Sequence, residues 1–276
     1  MSLVIDPERT RKITTAFIKQ RVKESRTRGV VIGLSGGIDS SVVGKLSVDA
    51  VGKENVLGIY LPDGRTDPVN ENHVKELVDF LGCEFASIPI QGIVDASLEA
   101  AGETPGKSLS RLTIGNLKAR IRMNLWYLHA NERNYLSAGG GNKTEIMTGY
   151  ATKYGDSAVD ILPIGDLYKT QIRVLAKYLA IPETIIEKPP TAGLWDGQTD
   201  EEELGITYEL LDRILVRIEY FQDDEEIQAA TGASIEEIAR IRSLIRKSEH
   251  KRRTPLLIKL GYRTPGFDWR IPYSLM

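Results

Sequence analysis

The feature that most constrains the fold is a short apolar segment that runs directly into a glycine-bearing turn and then a helix. Residues 29–34 read Gly-Val-Val-Ile-Gly-Leu, and residues 35–41 read Ser-Gly-Gly-Ile-Asp-Ser-Ser. A strand that is apolar at every position is typical of a parallel sheet covered by helices on both faces. Ligands of such sheets bind outside the carboxyl ends of the strands, so a ligand is expected at this turn.

The rest of the chain alternates strands with helices. We predict further strands at 56–61, 85–90 and 135–138, and helices at 6–28, 40–51, 68–81, 110–130 and 207–221. A Ser-Ile-Glu-Glu capping box at 234–237 opens one more helix. The pattern predicts an α/β fold with a doubly wound, mainly parallel sheet, helices on both faces and a helical C-terminal portion.

We expect residues 1–276 to form one domain. Its α/β core is predicted at about 29–182, followed at about 183–276 by a mobile loop and the helical part. The segment from 181 to 205 is rich in proline, glycine and acids and has no periodicity, which favours a functional or mobile loop.

Composition excludes several classes of protein. The chain has 36 Lys and Arg against 38 Asp and Glu, a net charge of −2, which argues against a dedicated nucleic-acid-binding protein. One cysteine excludes an internal disulfide framework, and three scattered histidines argue against a Cys/His zinc cluster. Neither a secretory leader nor an apolar stretch of ~18 residues that could span a membrane is evident. We therefore expect a cytoplasmic protein that contacts neither membrane nor nucleic acid.

The turn after the first strand has the chemistry of a phosphate-binding loop. Its glycines let the backbone approach an anion, and the N–H groups and dipole of a helix start favour phosphate. The glycine spacings of a Walker A loop and of a dinucleotide-binding fingerprint are both missing here. The alternative is a ligand-free turn whose helix is capped by Asp39 or Ser40.

Ser-Gly-Gly-x-Asp-Ser after a buried strand resembles the pyrophosphate loop of the N-type ATP pyrophosphatases, whose fold is adenine nucleotide alpha hydrolase-like. Further motifs make nearly the whole chain similar to the NAD synthetase family within that superfamily. They lie at 116–123, 141–145, 149–156, 163–171, 190–201, 250–252 and 267–272.

The resemblance implies ATP-dependent amidation of deamido-NAD (nicotinate adenine dinucleotide) with ammonia, giving NAD, AMP and pyrophosphate, the last step of NAD biosynthesis. A carboxylate is a poor electrophile, and its conversion to an acyl adenylate supplies a leaving group for attack by ammonia. Because the resemblance fills the chain, we expect no amidotransferase domain and free ammonia as nitrogen donor. The family also implies a homodimer. A synthetic subunit fed by a separate glutaminase and a nucleotide sensor without turnover remain the alternatives.

The resemblance also implies roles for individual residues. Asp39, Glu145 and Lys169 are expected to be catalytic, with Asp39 and Glu145 holding Mg²⁺, which prefers a few carboxylates plus phosphate oxygens. The residues alone favour a different interpretation, with Asp39 as a helix cap and Glu145 as an exposed residue on a short helix. The expected ATP-binding residues are Gly33, Leu34, Ser35, Gly36, Gly37, Ile38, Asp39, Ser40, Gly140, Lys169 and Thr191. The expected deamido-NAD-binding residues are Arg120, Lys153, Asp160, His250 and Lys251.

Three positions outside the glycine turn are further candidates for contact with ATP. Gly140 stands where many family members have a threonine that contacts ATP, five residues before the metal-binding glutamate, so only backbone contact is expected here. Lys143 is a weaker candidate than Lys169 for reaching ATP phosphate. Thr191 lies just ahead of 193–197, a loop that we predict to act as a lid.

Overall fold

Four parallel strands, paired in the order β3-β2-β1-β4, form the sheet of this protein. They are β1 (Gly29–Gly33), β2 (Val56–Tyr60), β3 (Glu84–Ser87) and β4 (Tyr135–Ala138). The structure, a computed structural model, describes residues 2–64, 68–103, 109–191, 199–265 and 268–269. β2 is buried throughout and β1 at all but its last residue, as strands between two helical layers must be. The predicted α/β fold with a parallel sheet is confirmed.

Helices make up most of the remaining structure. They are α1 (Pro7–Glu24), α2 (Ile38–Val51), α3 (Pro68–Leu81), α4 (Gln91–Ala100), α5 (Arg111–Arg133), α6 (Lys143–Thr148), α7 (Lys169–Tyr178), α8 (Glu183–Ile186), α9 (Asp200–Leu204), α10 (Tyr208–Glu219), α11 (Asp224–Thr231) and α12 (Ile235–Lys247). A short 3₁₀ turn at Glu249–Lys251 follows α12. No helix within the described part of the chain is both long and apolar enough to cross a membrane.

Several predicted boundaries are wrong for local reasons. α1 ends at Glu24 and not at Arg28, because Arg26 adopts a left-handed conformation with φ of 56°. The third strand begins at Glu84 and ends at Ser87, although the Ile88 and Ile90 N–H groups still donate to the carbonyls of Tyr60, the last residue of β2, and Pro62. The 181–205 segment contains two short helices, α8 and α9, which are too brief to show a period.

The order of the strands creates a crevice at one end of the sheet. After β1 the chain moves toward β2, whereas after β4 it moves the other way, to the isolated parallel bridge between Ala138 and Ile161. Connections that leave two neighbouring strands in opposite directions open a gap at the carboxyl ends of those strands. The turns at 34–37 and 139–142 therefore flank this gap.

Two apolar cores hold the molecule together. The larger lies around the sheet and includes Val31, Ile32 and Leu57, each fully buried. Cys83 packs against it, and burial raises the pKa of its thiol, which disfavours the nucleophilic thiolate. The second core joins α10, α11 and α12 to Tyr168, the residue that precedes α7. The helical C-terminal portion is thereby packed next to the start of α7.

Candidate active site

The turn after β1 presents an uncapped helix N-terminus at the crevice. The N-cap of α2 is Gly37, and no side chain makes a capping hydrogen bond there. The alternative interpretation of Asp39 or Ser40 as the cap is therefore wrong, because both lie inside the first turn of the helix. The free N–H groups of that turn form an anion-binding position.

Hydrogen bonds and packing fix the shape of this turn. The hydroxyls of Ser40 and Ser41 donate to the Gly37 carbonyl at 2.9 and 2.8 Å, and the Ser35 N–H donates to Ser40 Oγ at 3.3 Å. Gly36 has φ of +69°, and a Cβ there would lie 3.1 Å from the Asn70 carbonyl oxygen on α3. The left-handed φ and the close carbonyl both favour glycine at this point.

Three predicted catalytic residues from distant parts of the chain meet beside the turn. Lys169, the first residue of α7, is 2% exposed. Its Nζ lies 2.5 Å from Asp39 Oδ2 and 3.6 Å from Glu145 Oε1. The side-chain amide of Asn142 donates to the other Asp39 oxygen at 3.2 Å. Two carboxylates therefore converge on one cation at the mouth of the crevice.

Glu145 has two functions in this structure. Its backbone N–H donates to Asn142 Oδ1 at 3.0 Å, and its own Oε2 accepts from the Asn142 N–H at 3.3 Å, which forms a capping box. The other carboxylate oxygen faces Lys169. The interpretation of Glu145 as an exposed residue is wrong, because its side chain is only 18% exposed.

Burial governs the electrostatics of the cluster. Burial raises the pKa of Glu145 to about 8, with repulsion from Asp39 adding to the effect and Lys169 opposing it. Burial alone would lower the pKa of Lys169, but the carboxylates of Asp39 and Glu145 hold it above its ordinary value. Lys169 therefore stays charged, and Glu145 ionises more readily when another cation arrives.

Two acidic oxygen donors beside a helix N-terminus that is suited to an anion match the chemistry that Mg²⁺ prefers, since this ion takes one or two carboxylates and completes its shell with phosphate and water. Within the described residues, no group of three or more His, Cys, Asp or Glu side chains is arranged to hold a metal alone. Asp39 and Glu145 thus fit a metal that arrives together with a nucleotide.

Sequence reasoning missed two buried residues beside Lys169. Its Nζ lies 5.3 Å from the centre of the Tyr208 ring, and the Tyr208 hydroxyl donates to Asp200 Oδ2 at 3.0 Å. Asp200 is 3% exposed, and burial raises its pKa. Its position at the start of an acidic helix suggests a solvated residue, whereas in the structure it is buried and accepts from Tyr208, the first residue of α10.

The other predicted ATP residues differ in how the structure positions them. Gly140, after β4, lies against the β1 turn, because a Cβ built there would be 3.7 Å from Asp39 Cβ. Lys143 instead forms ion pairs with Glu219 at 2.6 Å and Asp166 at 3.0 Å. Thr191 is exposed, and the predicted lid that follows it, 193–197, lies outside the described residues. Their roles toward ATP stay predictions.

The space at Gly140 allows a direct test of the missing threonine. A Cβ at this position would meet its nearest heavy atoms at 3.6–3.8 Å, which is ordinary van der Waals contact. We expect Gly140→Thr to fold normally and to lower the KM for ATP about 2- to 10-fold, the value of one added hydrogen bond. Steady-state kinetics measures this, with Gly140→Ala as the control that adds the carbon without the hydroxyl. An equal rise in KM for both variants would show that the position has no room for a side chain.

Residues predicted to bind deamido-NAD form two contacts around one segment. Arg120 on α5 donates through Nε and Nη2 to the Lys153 carbonyl, each at 3.3 Å. Lys251 Nζ donates to the carbonyls of Gly149 and Ala151, both at 2.6 Å. The 149–153 segment thus brings cations from α5 and from the C-terminal 3₁₀ turn to the same region. His250 is exposed on that turn.

Asp160 is held by the protein itself. Its Oδ2 accepts from the Ser137 N–H at 2.8 Å and its Oδ1 from the Tyr127 hydroxyl at 3.0 Å. Both carboxylate oxygens therefore anchor the chain beside β4. Any contact of Asp160 with deamido-NAD stays a prediction.

A buried ionic cluster at the carboxyl end of β2 was also missed. Lys118 on α5 forms an ion pair with Asp63, and their side chains are 4% and 7% exposed. Arg122, one turn further along α5, lies 4.0 Å from Asp63 and donates to the Leu61 carbonyl at 2.9 Å. An acid directly after an apolar strand was the available signal, because that is where ligands of a parallel sheet gather.

Comparison with known proteins identifies the family of this chain. The family model described as NAD synthase matches residues 10–255. An NH₃-dependent NAD⁺ synthetase from Methanocaldococcus jannaschii is 49% identical over 241 residues, which cover 87% of this chain and 93% of the relative.

Two solved structures are also similar. An NMN synthetase from Francisella tularensis is 33% identical with a TM-score of 0.82, over 93% of this chain and 100% of the other. An NH₃-dependent NAD synthetase from Campylobacter jejuni, in complex with nitrate, is 32% identical with a TM-score of 0.78 at the same coverage. The motif resemblance is thereby confirmed, and the chain belongs to the NAD synthase family.

Proposed function

We propose that this protein is a carbon–nitrogen ligase that amidates deamido-NAD with ammonia at the expense of ATP, releasing NAD⁺, AMP and pyrophosphate. The observation that carries the proposal is the meeting of Asp39, Glu145 and Lys169 at an uncapped helix N-terminus. Membership of the NAD synthase family supports the reaction. The name of the M. jannaschii relative supports ammonia as the nitrogen donor.

ATP binds with its phosphates along residues 33–40 and at the first N–H groups of α2. The deamido-NAD carboxylate attacks the α-phosphorus, the bond from that phosphorus to the pyrophosphate oxygen breaks, and pyrophosphate leaves. Lys169, which the paired carboxylates keep charged, neutralises negative charge on the phosphates as it is redistributed. In the second step ammonia attacks the acyl carbon, loses a proton, and AMP departs with one of the original carboxylate oxygens.

Asp39 and Glu145 are the residues that would hold Mg²⁺, which supplies charge neutralisation at the phosphates. Lys169 already lies within 3.6 Å of both carboxylates. Asn142 orients Asp39 through one hydrogen bond and Glu145 through the capping box. These contacts fix the acidic pair before the nucleotide arrives, so less ordering is needed at the moment of reaction.

Deamido-NAD carries two phosphates and a carboxylate, so cationic residues suit it. We assign it to Arg120, Lys153, His250 and Lys251, with Asp160 also at this site. The hydrogen bonds of Arg120 to the Lys153 carbonyl and of Lys251 to the 149–151 backbone support a shared region. The helical part acts with the core as one catalytic unit, because Tyr208 of α10 lies against Lys169.

We further propose that the protein is a cytoplasmic homodimer. The resemblance to the NAD synthetase family supports the dimer. Sedimentation equilibrium of the purified protein measures the assembly directly. A monomer at enzyme concentrations used for assay would contradict this part of the proposal.

A second candidate is amidation of the corresponding mononucleotide, because one of the similar solved structures is an NMN synthetase. One assay separates the two. Purified protein with ATP, Mg²⁺ and ammonium is given deamido-NAD or nicotinate mononucleotide, and NAD⁺ and NMN are quantified by chromatography. We expect the kcat/KM for deamido-NAD to be far above the kcat/KM for nicotinate mononucleotide. Preferential formation of NMN would reassign the substrate, and ATP binding without either product would favour a nucleotide sensor.

A further inference from the structure

A buried carboxylate on α10 joins the two helices that carry Glu145 and Lys169. Asp212 is fully buried in the described structure. Its Oδ1 accepts from the Thr144 hydroxyl at 2.6 Å, and its Oδ2 accepts from the Thr170 N–H and hydroxyl, both at 2.8 Å. Thr144 directly precedes Glu145, and Thr170 directly follows Lys169.

The same network caps α7. The N-cap residue Tyr168 provides no side-chain cap, so the first N–H groups of α7 depend on other helices. The Lys169 N–H donates to Thr144 Oγ1 at 3.0 Å, and the next N–H donates to Asp212. A carboxylate is favoured at a helix N-terminus, where free N–H groups and the helix dipole meet it. The first residues of the helix that begins with Lys169 are therefore tied to α6 and α10.

Core packing alone does not account for a carboxylate at this position. Its neighbours Leu211, Ile214 and Leu215 fill the apolar core of the helical part and are each fully buried. An apolar side chain at position 212 would avoid the cost of burying a charged or polar group. Within the described residues, no lysine or arginine forms an ion pair with Asp212. All three observed partners instead come from the two segments that bear the acid and the cation of the site.

We infer that Asp212 is a positioning residue, which holds Glu145 and Lys169 at the separation that the amidation reaction requires. The inference rests on the proposed function, because it assumes that these two residues act on the metal and on ATP. Loss of the carboxylate lets α6 and α7 shift relative to each other. Residues that orient such groups through hydrogen bonds affect activity about 10- to 100-fold when removed, and small misplacement of a reacting group has effects of similar size.

The test compares Asp212→Ala and Asp212→Asn with Leu215→Ala, which loses core packing on the same helix but keeps the carboxylate. We expect Asp212→Ala to lower kcat about 10- to 100-fold and to raise the Mg²⁺ concentration needed for half-maximal rate. Asp212→Asn can still accept from Thr170, and we expect it to recover most of that loss. Leu215→Ala is expected to lower the Tm without changing the Mg²⁺ dependence.

A second comparison covers the case in which Asp212→Ala fails to fold. Thr144→Val removes the hydroxyl that links Asp212 to the Lys169 N–H, and we expect it to lower kcat and to raise the Mg²⁺ concentration needed for half-maximal rate. Normal kcat and Mg²⁺ dependence in folded Asp212→Ala or Thr144→Val would overturn the inference. Lys169→Met is assayed in parallel: if it retains full activity, the proposed function of the site has failed instead.

Discussion

Asp39→Asn is expected to lower kcat about 10²- to 10³-fold, the size of effect seen when one preorganised electrostatic group is removed from a reacting centre. Asparagine keeps the size of the side chain but cannot supply the negative charge that we assign to Mg²⁺. The folded state should lose only about 1.5–3 kcal/mol, the value of a hydrogen bond to a charged group, because Gly37 and not Asp39 caps α2.

The matched control is Asp49→Asn, at the other end of the same helix. Asp49 pairs with Lys45 at 2.6 Å and Arg11 at 3.3 Å, far along α2 from the phosphate turn. We expect it to retain normal kcat. The readouts are kcat and the rise in Tm that ATP with Mg²⁺ produces by binding the native state. A normal nucleotide-dependent Tm shift and kcat in Asp39→Asn would remove Asp39 from the metal site.

Lys169→Met is the second change with a large expected effect. Methionine fills similar space without charge, so Asp39 and Glu145 are left facing each other with no cation between them. We expect kcat to fall about 10²- to 10³-fold, because charge on the phosphates is no longer neutralised. We also expect Lys169→Met to bind added Mg²⁺ more tightly than the wild type does, since the Lys169 side chain no longer competes for the two carboxylates.

The variant also changes how stability depends on pH. In the wild type, burial raises the pKa of Glu145 from 4.5 to about 8. Between these values the folded state binds more protons than the unfolded state, so stability is lost as the pH rises through that window. Without Lys169 the loss should be larger and extend to higher pH, and Mg²⁺ should restore it. Urea unfolding at several pH values measures this.

Lys143→Met is the control for Lys169→Met, because it also removes a lysine that lies between two carboxylates. Lys143 pairs with Glu219 and Asp166, away from Asp39. We expect near-normal kcat. A loss in Lys143→Met equal to that in Lys169→Met would mean that the two lysines have the same role, which contradicts the assignment of Lys169 alone to ATP.

The sequence predicted the strand-and-turn scaffold because its signals are local. The apolar run at 29–34 and the glycines that follow it determine β1 and the turn. Asp39 lies directly after that turn, so its place in the fold could be predicted with it. Glu145 and Lys169 came from the family resemblance, since neither lies in a pattern that indicates a site. The contacts of Lys169 with Asp39 and Glu145 depend on how α2, α6 and α7 come together in the fold.

The site residues that could not be predicted from the sequence are brought together by tertiary contacts. Asp212 interrupts an apolar helical stripe in α10, which is a visible signal, but its partners Thr144 and Thr170 are 68 and 42 residues away. Asp200 and Tyr208 become part of the site only because α9 and α10 fold back onto α7. The short helix α8 was not predicted, because four residues show no period.

The most direct test of the proposed chemistry follows the oxygen atoms of the substrate. Deamido-NAD labelled with ¹⁸O in its carboxylate is converted with unlabelled ATP, Mg²⁺ and ammonium, and the products are analysed by mass spectrometry. An acyl adenylate requires AMP to appear in equal amount to NAD⁺ and to carry one ¹⁸O atom on its phosphate. Formation of ADP, or of AMP without the label, would contradict activation of the carboxylate by adenylation.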